Sequence, residues 1–233
     1  MSGARRGRLF LPALCVLCAL LFAGLGAWQI ERLRWKVDLI ERVEERLAAD
    51  PVAVPPPASW PRLDPRDIEY RRVRAEGIYD HRRTTLVDAL TERGTGNWVL
   101  TPLRTANGTI LVNRGFAPKG WTPPQGESAA VLVTGLMRLP EPEGRVLRPN
   151  RPADDAWFSR DVTAIAAARG LGPVAPFFID AAADGSGSDY PIGGLTVVRF
   201  RNTHLIYALT WFALAALSLF GLALTLRTTH KRG

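Results

Sequence analysis

Between residues 31 and 204 the sequence contains no cysteine. A domain built from that segment has no disulfide, so its core alone must hold it. Histidine is almost as scarce, and of the three in the chain only His81 lies well inside the segment. There is no thiol nucleophile and no Gly-x-Ser-x-Gly elbow there. No two histidines, and no histidine beside a carboxylate pair, stand at metal-ligand spacing. A membrane-anchored extracytoplasmic enzyme would therefore lack the usual nucleophile, base or metal cluster, and the expectation is a non-enzyme. His81 follows Tyr79-Asp80 in a charged turn and reads as a solvated side chain. Gly185-Ser186-Gly187-Ser188 lacks the strand-then-helix setting of a phosphate loop and reads as a turn. Asp154-Asp155 reads as loop solvation.

Charge is missing from two stretches, residues 9–30 and 205–226, of 22 positions each. At ~1.5 Å of rise per residue each spans roughly 33 Å, close to the ~30 Å hydrocarbon core of a bilayer. Elsewhere charge abounds, and the net +8 invites a nucleic-acid reading. Six cations, Arg5, Arg6, Arg8, Arg227, Lys231 and Arg232, flank the apolar runs on their outer sides. Residues 31–204 keep 30 − 6 = 24 basic against 22 acidic groups, a net of +2. The excess therefore sits in two short tails, which is a topology signal, and no nucleic-acid partner is expected. Both cysteines, Cys15 and Cys18, lie in the first run and read as small apolar residues.

The positive-inside rule places both tails in the cytoplasm and residues 31–204 on the other side. A cleaved signal peptide is the rival reading of the first run. The run is long for that role, and no Ala-x-Ala site ends it. Eight residues before the span are too few for a mitochondrial transit peptide, which points to a multi-pass protein of a bacterial cell inner membrane with both termini cytoplasmic. The expected organisation is a tail (1–8), a transmembrane helix (9–30), a juxtamembrane helix (31–49), a Pro-rich extended linker (50–66), a β-rich extracytoplasmic domain (67–204), a second transmembrane helix (205–226) and a tail (227–233).

Small residues Ala19, Ala23 and Ala27 recur every fourth position in the first span, as do Gly221 and Thr225 in the second, a spacing that lets helices approach. Leu39, Val43 and Leu47 continue a helical period outward. Six prolines from Pro51 to Pro65 then exclude helix. Strand-like runs follow at 68–78, 84–87, 98–103, 109–113, 131–137, 177–180 and 196–200, with Asn107-Gly108 as a hairpin turn. A Gly/Ser loop over 184–194 separates the last two. Val162 to Arg169 reads as a helix, capped by Asp161 and stopped by Gly170. The fold class expected is an α+β membrane protein, with two transmembrane helices flanking an antiparallel β-sheet or small β-barrel that carries one short helix.

The informative place is the outer membrane boundary. His204 immediately precedes the second span, and on a helix His204, Tyr207, Ala208 and Trp211 share a face. Trp28, Arg32 and Trp35 share a face at the matching end of the first span, with Gln29 and Lys36 beside them. An imidazole among aromatic rings with cations nearby suits a haem, the histidine ligating iron and the cations pairing with propionates. Arg32, Arg199 and Arg201 are the propionate partners that position proposes. Interfacial anchoring by Trp and Tyr with snorkelling Arg and Lys explains the same composition, and composition alone favours it.

Three blocks make the sequence recognisable. Gly26-Ala27-Trp28-Gln29-Ile30-Glu31-Arg32 is followed by Trp35-Lys36 and Leu39-Ile40. The second block is Leu111-Val112-Asn113-Arg114-Gly115-Phe116-Ala117-Pro118. The third is Pro191-Ile192-Gly193-Gly194, leading into Asn202-Thr203-His204-Leu205-Ile206-Tyr207-Ala208-Leu209-Thr210-Trp211-Phe212. In this order and two-span layout the chain resembles the surfeit locus protein 1 family. Thr203 departs from it, since the family often has a second Asn before the histidine. The resemblance implies a non-enzymatic factor for cytochrome c oxidase assembly, embedded in membrane lipid. It would bind haem a through His204 as axial ligand to the iron and hand it to the oxidase catalytic subunit, with haem a synthase as a candidate second partner. Tyr207, Trp211, Trp28 and Arg32 complete the expected cofactor site, and no catalytic residue is expected. A scaffold that stabilises a newly made oxidase subunit without touching haem is the alternative. Arg114-Gly115 is expected to serve structure, the glycine permitting a bend after a strand.

Overall fold

A computed structural model of the chain describes residues 3–145, 147–183, 190–196 and 202–230. It divides into two compact units, a helical one from residues 3–42 and 202–230 and a second one spanning 43–196. The expected strand beyond Thr196, the Gly185–Ser188 stretch, Arg199 and Arg201 lie outside the described residues.

The helical unit is built from α1 (Gly3–Ala48) as far as Arg42, its last turns belonging to the second unit, and from the last helix of the chain, α4 (His204–His230). The short α2 (Pro65–Ile68) and α3 (Val162–Arg169) belong to the other unit. Both long helices are long and apolar enough to cross a membrane, by length and composition. They meet along a heptad seam. On α1 it runs through Cys15, Ala19, Phe22, Gly26 and Gln29, and on α4 through His204, Ala208, Trp211 and Ala215. Ala19, Ala208 and Ala215 are buried there. Phe22 stacks on Trp211 with ring centres 5.6 Å apart. A Cβ on Gly26 would meet the Phe212 ring at 2.7–2.9 Å, so only glycine lets the ring lie there. The stripe of Ala19, Ala23 and Ala27 is not the contact face, because Ala23 and Ala27 are exposed. Steps of four residues drift about 40° per step around a helix of 3.6 residues per turn, whereas alternating steps of four and three stay on one seam.

The second unit opens on β1 (Val52–Ala53), which pairs in parallel with β2 (Arg72–Asp80). There follow β3 (Thr85–Thr91), β4 (Gly94–Thr105), β5 (Gly108–Pro118), β6 (Glu127–Arg138), the two-residue strands β7 (Gly144–Arg145) and β8 (Arg148–Pro149), and β9 (Val174–Ala181). The main sheet runs β1-β2-β6-β9-β5-β4-β3, and a further β2–β4 pairing closes it into a barrel-like ring. Closure depends on the length of β4. One edge of it takes β3 over 94–100, then β2 at Leu103 and Arg104.

Side chains alternate between two cores, as the two-residue period of a strand requires. Ile110, Val112, Phe177 and Ile179 enter one, with Val73, Leu103 and Met137. Leu111 and Phe178 enter the other, with Trp157 and with Val162 and Ile165 of α3. The helix over 162–169 is present as read. Asp161 accepts a hydrogen bond from Ala164 N at 3.0 Å, and Gly170 ends the helix at φ 59°.

Several expectations need correction. The ring is not wholly antiparallel, since β5 and β9 run parallel. That pairing joins segments some sixty residues apart, and local pattern cannot show it. The prolines do not make an extended linker. Residues 50–66 hold β1, a 3-10 turn over Pro57–Arg62 and the start of α2. Trp60 in that turn packs edge-on against Phe177 and donates to Pro55 O at 3.0 Å, so an apolar anchor outweighs the stiffness of its neighbours. Ile68 sits in α2, and the strand read from it begins at Arg72. The β4–β5 turn residues are Ala106 and Asn107. Gly108, at φ 114°, already pairs with Thr105.

Three register shifts interrupt the ring, one of them between β5 and β9, where Thr109 faces Val174 but Leu111 faces Phe178. Trp98 faces Phe116 but Leu100 faces Asn113, so Arg114 and Gly115 together oppose Val99. Ile78 faces Ala130 but Asp80 faces Glu127, so Ser128 and Ala129 together oppose Tyr79. A bulge bends a strand and re-aims its side chains.

Candidate functional site

At one end of the helix seam the His204 Nδ1 lies 2.7 Å from Gln29 Oε1. A carbonyl oxygen only accepts, so Nδ1 is the donor of this contact, and in the neutral ring that leaves the lone pair on Nε2. Metal-binding histidines are held in this way, one ring nitrogen engaged by a second partner and the other presented to the metal. His204 is half-buried and is the first residue of α4, where its backbone N–H donates to Asn202 Oδ1 at 3.4 Å. A single imidazole with its tautomer set fits the axial position of a haem. The described residues hold no cluster of three or more His, Cys, Asp or Glu side chains that would hold a bare metal ion.

The other expected site residues divide. Trp211 lies on the seam against Phe22, two turns from His204. Tyr207 is 54% exposed and Trp28 55% exposed, so both lie off the seam. The seven-residue seam, not the broader face read from the sequence, decides which aromatic rings are covered. Arg32 sits one turn beyond Gln29, with its guanidinium 4.7 Å from the centre of the Trp35 ring. Gln29 is the partner that the face reading missed. Its signal was available in the spacing of Phe22, Gly26 and Gln29 at i, i+4 and i+7.

The second unit holds a cavity of about 570 Å³ where β2 and β9 end. His81 lines it and is only 8% exposed, which corrects the solvated reading. Its neighbour Asp80 is buried too, near Arg83 (3.6 Å) and Arg104 (3.8 Å), so the charged turn folds inward through ion pairs. Arg114 Nη1 lies 3.4 Å from His81 Nδ1. A guanidinium only donates, so this imidazole accepts at Nδ1 and is neutral. Burial and then the Arg114 charge hold its pKa below the ordinary 6.5, against the opposing charge of Asp80. Stability associated with this depressed group is present above the unfolded-state value and is lost as pH falls through the folded one. Thermal unfolding followed from pH 7 to pH 5 is expected to show a decline in stability that His81→Gln reduces.

The sequence profile of the SURF1 family matches residues 16–216. The chain is 34% identical over 230 residues to "Surfeit locus protein 1" of Rattus norvegicus, covering 89% of this chain and 71% of that one. The protein of the same name from Homo sapiens is 33% identical over 230 residues, 89% of this chain and 74% of that one. A "SURF1-like protein" of Monosiga brevicollis is 34% identical over 218 residues, with 84% and 80% covered. The matched segment includes the helix seam from Ala19 onward, the bulges at Arg114-Gly115 and Ser128-Ala129, and His204. The chain belongs to the SURF1 family.

Proposed function

We propose that this chain is a membrane-anchored assembly factor for haem–copper cytochrome c oxidase that carries haem a on His204 and passes it to the oxidase catalytic subunit. Membership of the family supports the assembly role. The observation that carries the haem reading is the hydrogen bond from His204 to Gln29, which leaves Nε2 free to hold the iron as axial ligand. Trp211 braces the helix pair next to this end, Trp28 and Tyr207 offer exposed rings for the macrocycle, and Arg32 offers a cation for a propionate.

The two apolar helices would span a bacterial inner membrane, with the basic tails cytoplasmic and the intervening unit on the opposite side. His204 and Gln29 would then lie at the outer boundary. A handover site needs moderate affinity, and one protein ligand at a half-exposed boundary releases its cargo more readily than a buried pair of histidines. Haem a synthase would be the source. Protein purified from cells that make haem a is expected to carry haem a absorption bands, and protein from cells without haem a synthesis is expected to lack them. Colourless protein from both would instead favour a cofactor-free scaffold for a new oxidase subunit.

A further inference from the structure

The cavity of the second unit has the features of a ligand site that the proposed haem role does not use. Its volume falls in the range of pockets for small molecules. Two bulges of the barrel deliver side chains to it, Arg114 from β5 and Ser128 from β6. Bulges are enriched beside active sites because they re-aim side chains in this way. Ser128 is fixed, its hydroxyl accepting from Tyr79 N at 2.9 Å and donating to Ala129 O at 2.6 Å.

The charge on Arg114 is the deciding feature. Its guanidinium lies over the Tyr79 ring at 4.7 Å and beside the neutral His81, and no carboxylate among the described residues pairs with it. Two described acids at this end of the barrel are committed elsewhere, Asp80 to Arg83 and Arg104, and Glu127 to Arg104 at 2.5 Å. A cation without a carboxylate partner among the described residues, held between an aromatic face and an imidazole, matches one negative charge. Val131, Val133 and Ala181 contribute apolar residues to the lining of the cavity. We infer that this cavity binds a small monocarboxylate with an apolar body, its carboxylate on Arg114 and its body against β6 and the end of β9.

Protonation of His81 would place a second cation beside the bound anion, so anion binding and His81 protonation favour one another. Among the described residues the charged and titratable groups facing His81 are Arg114, Asp80 and Tyr79, with Arg83, Arg104 and Glu127 behind Asp80. The test uses the full chain in lipid nanodiscs with labelled histidine, the His81 signal being assigned by His81→Gln. Benzoate, benzamide and inorganic phosphate serve as probes. Benzoate is expected to bind saturably and to raise the pH midpoint of His81, while benzamide and phosphate bind at least about tenfold more weakly. Arg114→Gln is expected to lose benzoate binding by about tenfold or more, as removal of a charge-assisted contact implies. An unmoved His81 titration, or equal binding of benzamide, overturns the proposal, and both are read on the unaltered chain even where Arg114→Gln does not fold. Tighter binding of phosphate overturns the monocarboxylate assignment.

Discussion

Gly115→Val is expected to destabilise the barrel unit by about 4 kcal/mol or more, combining backbone strain at a glycine-only φ with two lost backbone hydrogen bonds. Gly115 has φ 119° inside the β5 bulge. A Cβ there would collide with the backbone carbonyl of Ile192, and Gly193 N would lie 2.6 Å away. The collision falls where Phe116 N donates to Ile192 O and Ile192 N donates to Phe116 O, both at 2.9 Å, so relief of one breaks the other. Gly120 provides the control. Its φ is 86°, but nothing lies within 4 Å of a Cβ there, so Gly120→Ala should cost only about 1 kcal/mol. For an unfolding unit of this size the Gly115 change corresponds to a fall in Tm of roughly 10 °C, to be read by calorimetry or circular dichroism. Equal losses for Gly115→Ala and Gly120→Ala would remove the close approach from the explanation.

Asp180→Ala should cost about 3–5 kcal/mol, because it strands buried cations. Asp180 is 3% exposed and accepts from Asn113 Nδ2 and Arg138 Nη1 at 2.8 Å, from Thr196 Oγ1 at 3.0 Å and from Arg160 Nη1 at 3.2 Å. Arg160 also binds Glu141. Burial opposes ionisation of Glu141, but the hydrogen bonds and charge of Arg160 outweigh it and hold its pKa below the ordinary 4.5. Arg138 has less in reserve. Its Nε has no hydrogen-bond partner, and Glu69 lies 3.8 Å away. The double change Asp180→Ala with Arg138→Met is therefore expected to cost less than the sum of the single changes, since it removes one stranded charge. Urea unfolding of the four proteins measures the difference, and simple additivity would show that Asp180 does not act through Arg138. The cluster ties the end of β9 to β5 and β6, which places Ala181 in the cavity wall.

What could be read from the sequence was what local chemistry encodes. Asp161 and Gly170 mark both ends of α3 because a cap and a left-handed stop act within one turn. The β-branched runs of β4, β5 and β6 disclosed strands but not their full lengths. The extra residues, such as Gly94–Gly96 and Ala117-Pro118, are held by pairing partners and not by propensity. Distant relations were hidden. The parallel β5–β9 pairing, the docking of Trp60 and the inward fold of Asp80-His81 each depend on segments remote in sequence. At the helix seam His204 was legible as a ligand candidate. Gln29 is marked only by the seven-residue period of the seam, beneath the stronger interfacial signal of the Trp and Arg around it.

The most direct test of the account is the absorption spectrum and haem content of His204→Ala and Gln29→Leu beside the unaltered protein, all made together with haem a synthesis. His204→Ala should lose the haem a bands. Gln29→Leu should retain the imidazole but hold haem on the order of 10-fold more weakly, the usual cost of removing the partner that orients a metal-binding histidine. Undiminished haem content with an unchanged spectrum in His204→Ala would contradict the assignment of the iron ligand and with it the proposed route of cofactor delivery.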